Sequence, residues 1–212
     1  MKLFCYSDFR QHAFAEKYLL RSLARLNEYE VVYEKGECPS RFDGIPGGAL
    51  WNKAEQILNF AVSARAQGET HFVWADNDVI FLKPTRNRLL YLLGDHDVAF
   101  QSANGYLCAG FFIAQLNQSF IDYWTAVVNK RECYEILGGT GDQHAADLLR
   151  KTAKVTLLPD DEFWTPCLSV QRFTESEMAA YVPNLPPSVL LVHMACVAWP
   201  HKITALDYLI NL

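Results

Sequence analysis

From end to end, short apolar runs alternate with segments whose apolar residues recur at the helical period. Residues 3–6, 31–33, 71–75, 98–101, 110–114, 155–158 and 189–192 are runs of strand length, several bounded by polar or turn-forming residues. Between them, Phe14, Tyr18, Leu19, Leu23 and Leu26 trace one helix, and Leu50, Trp51, Ala54, Ile57, Leu58, Ala61 and Val62 trace a second that Gly68 closes. Phe120, Tyr123, Trp124 and Val127 mark a third, and residues 142–150 a fourth. Strands that alternate with helices must bury both sheet faces, so the expected class is α/β, with a mixed, mostly parallel sheet flanked by helices. The length of 212 residues suits one domain spanning 1–212, standing alone or within a longer protein.

Composition narrows the partners. Half of the residues are hydrophobic, too many for a chain that stays disordered. Acidic residues outnumber basic ones 24 to 19, and no basic run offers the patch that a phosphate polymer rewards, so nucleic acid is not an expected partner. A protein with net charge −5 can still take a phosphorylated small molecule if it recruits a divalent cation. Cysteines 5, 38, 108, 133, 167 and 196 contain no CxxC pair, which suits buried thiols in a reducing cytoplasm better than a disulfide framework. No apolar run is long enough for a signal peptide or a membrane span, and the expected location is cytoplasmic.

The most informative chemistry is Asp76-Asn77-Asp78, where two carboxylates leave a buried strand together. Ligands of open α/β sheets bind at the carboxyl ends of the strands, and paired carboxylates there can share one hard cation. An ordinary Asx-rich turn is the competing reading. His193 stands at another strand end after an apolar run, where a metal ligand and a satisfied strand histidine are both open. Gly36 to Gly48 is too long and too rich in Gly and Pro for a tight turn and is a candidate binding loop.

Residues 72–82, with apolar strand on both sides of the acidic pair, resemble the DxD signature of GT-A nucleotide-diphospho-sugar glycosyltransferases. Further segments fall in that family's order. Trp51 and Lys53 resemble its helix facing the nucleotide, Cys108-Ala109-Gly110-Phe111-Phe112 its "NAGFF" strand beside the sugar, and Asp142-Gln143 its "DQ" near the reacting carbon. His193, with Lys202 further on, resembles the late His and Lys that close the site.

The resemblance implies a transferase that moves a hexose or deoxyhexose from a UDP-sugar to a glycan or glycoprotein acceptor, commonly with retention. It implies direct metal contacts from Asp78 and His193, with Asp76 sharing the metal or holding the ribose, an oxygen-rich set with one imidazole that suits Mn²⁺ first and Mg²⁺ next. Tyr6, Ser7, Lys53, Asp76 and Lys202 would hold the nucleotide; Cys108, Ala109, Gly110 and Asp142 the sugar; Asp142 and Gln143 would act at the reacting carbon. Several have a plainer alternative: turn caps for Tyr6 and Ser7, solvated lysines for Lys53 and Lys202, a helix cap for Asp142, whereas Gln143 has less structural reason to be there. Two rival functions stay open. One is a haloacid-dehalogenase-type phosphohydrolase with Lys154 and Asp160-Asp161 in its later roles; the other is a GT-A-like domain that binds sugar without turnover.

Overall fold

The computed structural model describes residues 1–9, 11–37, 48–103, 105–135, 141–166, 177, 181–195, 197 and 199–212. The order is β1 (Lys2–Asp8), α1 (His12–Ala15), a π-helical turn (Glu16–Leu20), α2 (Arg21–Leu26), β2 (Glu30–Gly36), α3 (Gly48–Ala66), β3 (His71–Ala75), β4 (Val79–Phe81) and α4 (Arg86–Leu93). There follow β5 (Val98–Ala103), β6 (Tyr106–Gln115), α5 (Gln118–Asn129), α6 (Glu132–Glu135), α7 (Gly141–Leu148), β7 (Val155–Leu158), β8 (Phe163–Trp164), β9 (Leu191–His193) and α8 (Trp199–Leu209).

The main sheet has six strands in the order β2-β1-β3-β6-β5-β7. Strands β1 and β2, β1 and β3, and β5 and β7 pair in parallel; only β6 runs against its neighbours, so the sheet is mixed and mostly parallel, as the sequence predicts. The chain passes from β1 to β2 on one side and then returns to β3 on the other. The carboxyl ends of β1 and β3 therefore flank the point where strand order reverses, the place where open α/β sheets form a crevice.

Both faces are covered. Along β3, Phe72 and Trp74 join Phe4, Phe112, Phe120 and Trp124 under α3 and α5, whereas Val73 and Ala75 face Leu19, Leu23, Leu89 and Leu93. This period-two division inside a buried strand is why residues 71–75 read as an unbroken apolar run. The Trp124 indole donates to the Ala54 carbonyl at 2.9 Å, so its buried N–H is satisfied across α5 and α3.

A small second sheet, β4-β9-β8, departs from the sequence expectation. The run at 189–192 becomes strand only from Leu191 to His193, and it pairs with β4 and β8 instead of extending the main sheet. Helices α4 and α8 also lie outside the sequence expectations. The expected 36–48 loop falls largely outside the described residues, as do Gly138, Gly139 and Thr140 before α7. Cys5, Cys108 and Cys133 are free, buried thiols. Among the described residues no helix is long and apolar enough to cross a membrane.

Candidate active site

Strand β3 stops where its last neighbours do. The Asp76 N–H donates to the Gly110 carbonyl at 2.8 Å, and the Val79 N–H closes a turn onto the Asp76 carbonyl at 3.2 Å. The turn brings the Asp76 and Asp78 carboxylates to one locality. Strand β4 then pairs antiparallel with β9 in a register that sets Val79 opposite His193, and the Met194 N–H donates to the Asp78 carbonyl at 3.0 Å. Long-range pairing thus carries His193 to the acidic turn. One ligand atom from each of Asp76, Asp78 and His193 lies within 4.8 Å of the others.

Beneath them runs the irregular part of β6. Gln101 of β5 pairs with Cys108 while Phe100 pairs with Phe112, so Ala109, Gly110 and Phe111 have no partners on β5. Such bulges re-aim side chains beside functional sites. A Cβ on Gly110 would collide with His193 Cε1 and stand 2.7 Å from His193 Nε2 and 2.8 Å from Asp76 Oδ2. The trio therefore needs glycine at that position.

Each carboxylate is held by a cation. Lys202 Nζ, from α8, donates to Asp78 Oδ2 at 2.6 Å, and His193 Nε2 lies 3.2 Å from Asp78 Oδ1. Lys53 Nζ, from α3, stands 3.2 Å from Asp76 Oδ2 and 2.8 Å from Asp142 Oδ2, with Trp74 Nε1 donating to Asp76 Oδ1 at 2.9 Å. Burial alone would raise the Asp78 pKa, but His193 and Lys202 outweigh it and hold the carboxyl below the usual range. For Asp76 burial wins over Lys53 and His193, and its pKa lies above the ordinary value. Burial would lower the His193 pKa; the Asp78 carboxylate overrides that and pushes the imidazole up to about 10. For Lys53 burial likewise loses, to Asp142 and Asp76, and the ammonium is stabilised.

Two carboxylates and one imidazole form a donor set that fits a hard divalent cation. Binding there must release the proton from His193 Nε2, so affinity falls as pH falls. Asp76 and Asp78 line a cavity of about 380 Å³ together with Tyr6, Asp8, Lys53, Trp74, Trp199 and Lys202, and His193 is buried behind Asp78.

The expected site residues divide accordingly. Asp76, Asp78, His193, Lys53 and Lys202 come together, with Asp142 joined through Lys53 and Cys108 Sγ 3.7 Å from His193 Nδ1. Tyr6 lines the cavity, its hydroxyl donating to the Glu37 carbonyl at 3.1 Å. Ser7 is buried away from it and donates to the Asp8 carbonyl, Ala109 points into the core, and Gln143 is half-buried on α7 outside the cavity wall. Trp51 turns the other way: its indole donates to Val128, and the Arg131 guanidinium lies over its ring. The phosphohydrolase set does not assemble, since Lys154 pairs with Asp95 beside β7 and neither it nor Asp160-Asp161 lines the cavity.

Trp74, Gln101 and Trp199 are site neighbours that the sequence reading lacked. Trp74 lies two residues before Asp76, on the same side of the strand, and Gln101 is a lone amide ending an apolar run; both were visible signals. Trp199 carries none.

The six-stranded sheet with one reversed strand, flanked by helices, has the GT-A fold of solved glycosyltransferases. No family model and no curated protein sequence matches the chain. Solved structures do. A glycosyltransferase involved in glycosylation of the major capsid of PBCV-1 superposes with TM-score 0.65 over all of both chains at 12% identity. The galactosyltransferase LgtC, solved with donor and acceptor sugar analogues, gives 0.56 at 13% identity, covering 100% of this chain and 95% of its own. The glycosyltransferase GlyE of Streptococcus pneumoniae gives 0.59 at 14% identity over 99% of this chain and 62% of its own.

Proposed function

We propose that the chain is a metal-dependent glycosyltransferase that moves a hexose or deoxyhexose from a nucleotide-diphosphate sugar, UDP-linked in the first instance, to a glycan or glycoprotein acceptor with retention. The observation that carries this reading is the convergence of Asp76, Asp78 and His193, the two carboxylates lining the switch-point cavity and held there by Lys53 and Lys202. A divalent cation held by the trio, Mn²⁺ first and Mg²⁺ next, would offset diphosphate charge as a Lewis acid while the glycosidic bond breaks.

The remaining chemistry belongs to the chain. Lys202 and Lys53 are compact point charges already inside the cavity, able to move from carboxylate to phosphate oxygen as a diphosphate enters. Tyr6, at the end of β1, offers a ring to the base. Asp142, in the first turn of α7, would accept from sugar hydroxyls once Lys53 turns to the diphosphate, and Gln143 would reach the reacting carbon only by turning toward the cavity. Retention is what the resemblance of the ordered DxD, Asp-Gln and late-His motifs implies; inversion with Asp142 as general base is the alternative outcome.

The test is a panel of UDP- and GDP-sugars scored for nucleotide release with and without Mn²⁺. Mn²⁺-dependent release from one or more UDP-sugars is expected. Release of phosphate from a generic phosphomonoester, with none from any nucleotide sugar, would overturn the reading.

A further inference from the structure

Gln101 is fully buried on β5, next to the register break, and all of its polar atoms are engaged. Its Nε2 donates to the Phe163 carbonyl at 3.0 Å and to the Trp164 carbonyl at 3.3 Å, both on β8. Its Oε1 lies 2.7 Å from His193 Nδ1. The amide can sit only this way round, because the flipped amide would press its oxygen against two carbonyl oxygens and its NH₂ against the ring. The orientation of Gln101 is therefore dictated by the backbone of β8.

That orientation has a chemical consequence one residue further on. An amide oxygen only accepts, so His193 Nδ1 must carry the proton, and in the neutral ring the lone pair is then on Nε2, the nitrogen that faces Asp78. The Cys108 thiol, 3.7 Å from Nδ1, is a weak second contact on the same nitrogen and does not compete for Nε2. Resting on the metal reading above, we infer that Gln101 is a positioning residue that fixes the His193 tautomer and ring angle so that Nε2 is presented to the cation. Neutral partners on the second nitrogen of a metal-bound histidine act in this way, and their loss weakens metal affinity by roughly 10–100-fold.

Two substitutions separate this role from simple support of β8. Gln101→Met keeps the side-chain length but removes donor and acceptor, whereas Gln101→Glu keeps an acceptor for Nδ1–H and turns an oxygen toward the two β8 carbonyls, so that support of β8 is lost at least as badly as in Gln101→Met. A supporting role is therefore lost in both; the positioning role is lost only in the first. Mn²⁺ affinity, read by water-proton relaxation at fixed UDP, should fall roughly 10–100-fold in Gln101→Met and stay within about threefold of wild type in Gln101→Glu. In the Mg²⁺-loaded wild type, ¹⁵N spectra of the His193 ring should show the proton on Nδ1. Equal losses in both variants, unchanged affinity in Gln101→Met, or a proton on Nε2 would overturn the role of Gln101 and leave the metal reading standing. Absence of any Mn²⁺ binding by the wild-type protein would overturn both.

Discussion

The acidic residues at the two ends of the central strands are satisfied in opposite ways. Asp97, at the start of β5, accepts from Ser119 Oγ at 2.7 Å, Asn117 Nδ2 at 2.7 Å and the Lys154 N–H at 2.9 Å. Asn117 simultaneously caps α5, its Oδ1 accepting the Phe120 N–H at 2.8 Å, so Asp97 fastens a helix start to a sheet edge. Asp76 and Asp78, at the other end of the strands, are held by lysines and a histidine facing a cavity. Fixed neutral donors make a joint. Long cationic side chains make a site, because the same charges can be handed to an incoming phosphate or replaced by a metal.

The largest expected effect is on chemistry. Asp78→Asn should lower Mn²⁺-dependent nucleotide release by at least about 100-fold in steady-state assays while the protein stays folded, since ligand loss exceeds the effect of losing a ligand's partner. Gly110→Ala comes next. Its Cβ would strike His193 and crowd Asp76, so Mn²⁺ affinity should fall by an order of magnitude, at a stability cost of about 1–3 kcal/mol in urea unfolding. Asp97→Ala reverses the pattern. Three donors lose a charged acceptor, costing about 3 kcal/mol of stability, while turnover per folded molecule stays within about twofold.

The smallest effect is in acid. Burial would raise the Asp97 pKa, but the hydrogen bonds from Ser119, Lys154 and Asn117 outweigh it and hold the value below the ordinary one. The folded-state pKa being depressed, Asp97 contributes stability above the unfolded value near 3.9 and loses it as pH falls through the folded value. Asp97→Asn should therefore flatten the acid limb of stability against pH below about 4, read by thermal melts. An acid limb as steep as wild type would break the contrast between joint and site.

The sequence shows one half of this comparison better than the other. Asp76 and Asp78 stand out because charged groups rarely end a buried strand without cause, and the strands that position them are strongly apolar. Much of the rest depends on contacts distant in sequence. The closeness of His193 to Asp78 comes from the β4–β9 ladder, and that of Gln101 to His193 from the meeting of β5 with the β8–β9 pair, neither of which has a local signal. Two placements follow from the period of the element alone. Trp51 and Lys53, two apart on a helix, point about 200° apart, so only Lys53 reaches the cavity. Tyr6 and Ser7, adjacent on a strand, face opposite sides, so only Tyr6 does. Helix α4 has little sequence signal because only Leu89 and Leu93 are buried along it, too few to draw a periodic stripe.

The central claim is that a cation held by Asp76, Asp78 and His193 joins this acidic protein to a nucleotide diphosphate. Calorimetric titration of UDP into the protein with and without Mn²⁺ tests it most directly. The account predicts binding that requires Mn²⁺ and disappears in Asp78→Asn; UDP binding of equal strength without the metal, or unchanged in Asp78→Asn, would contradict it.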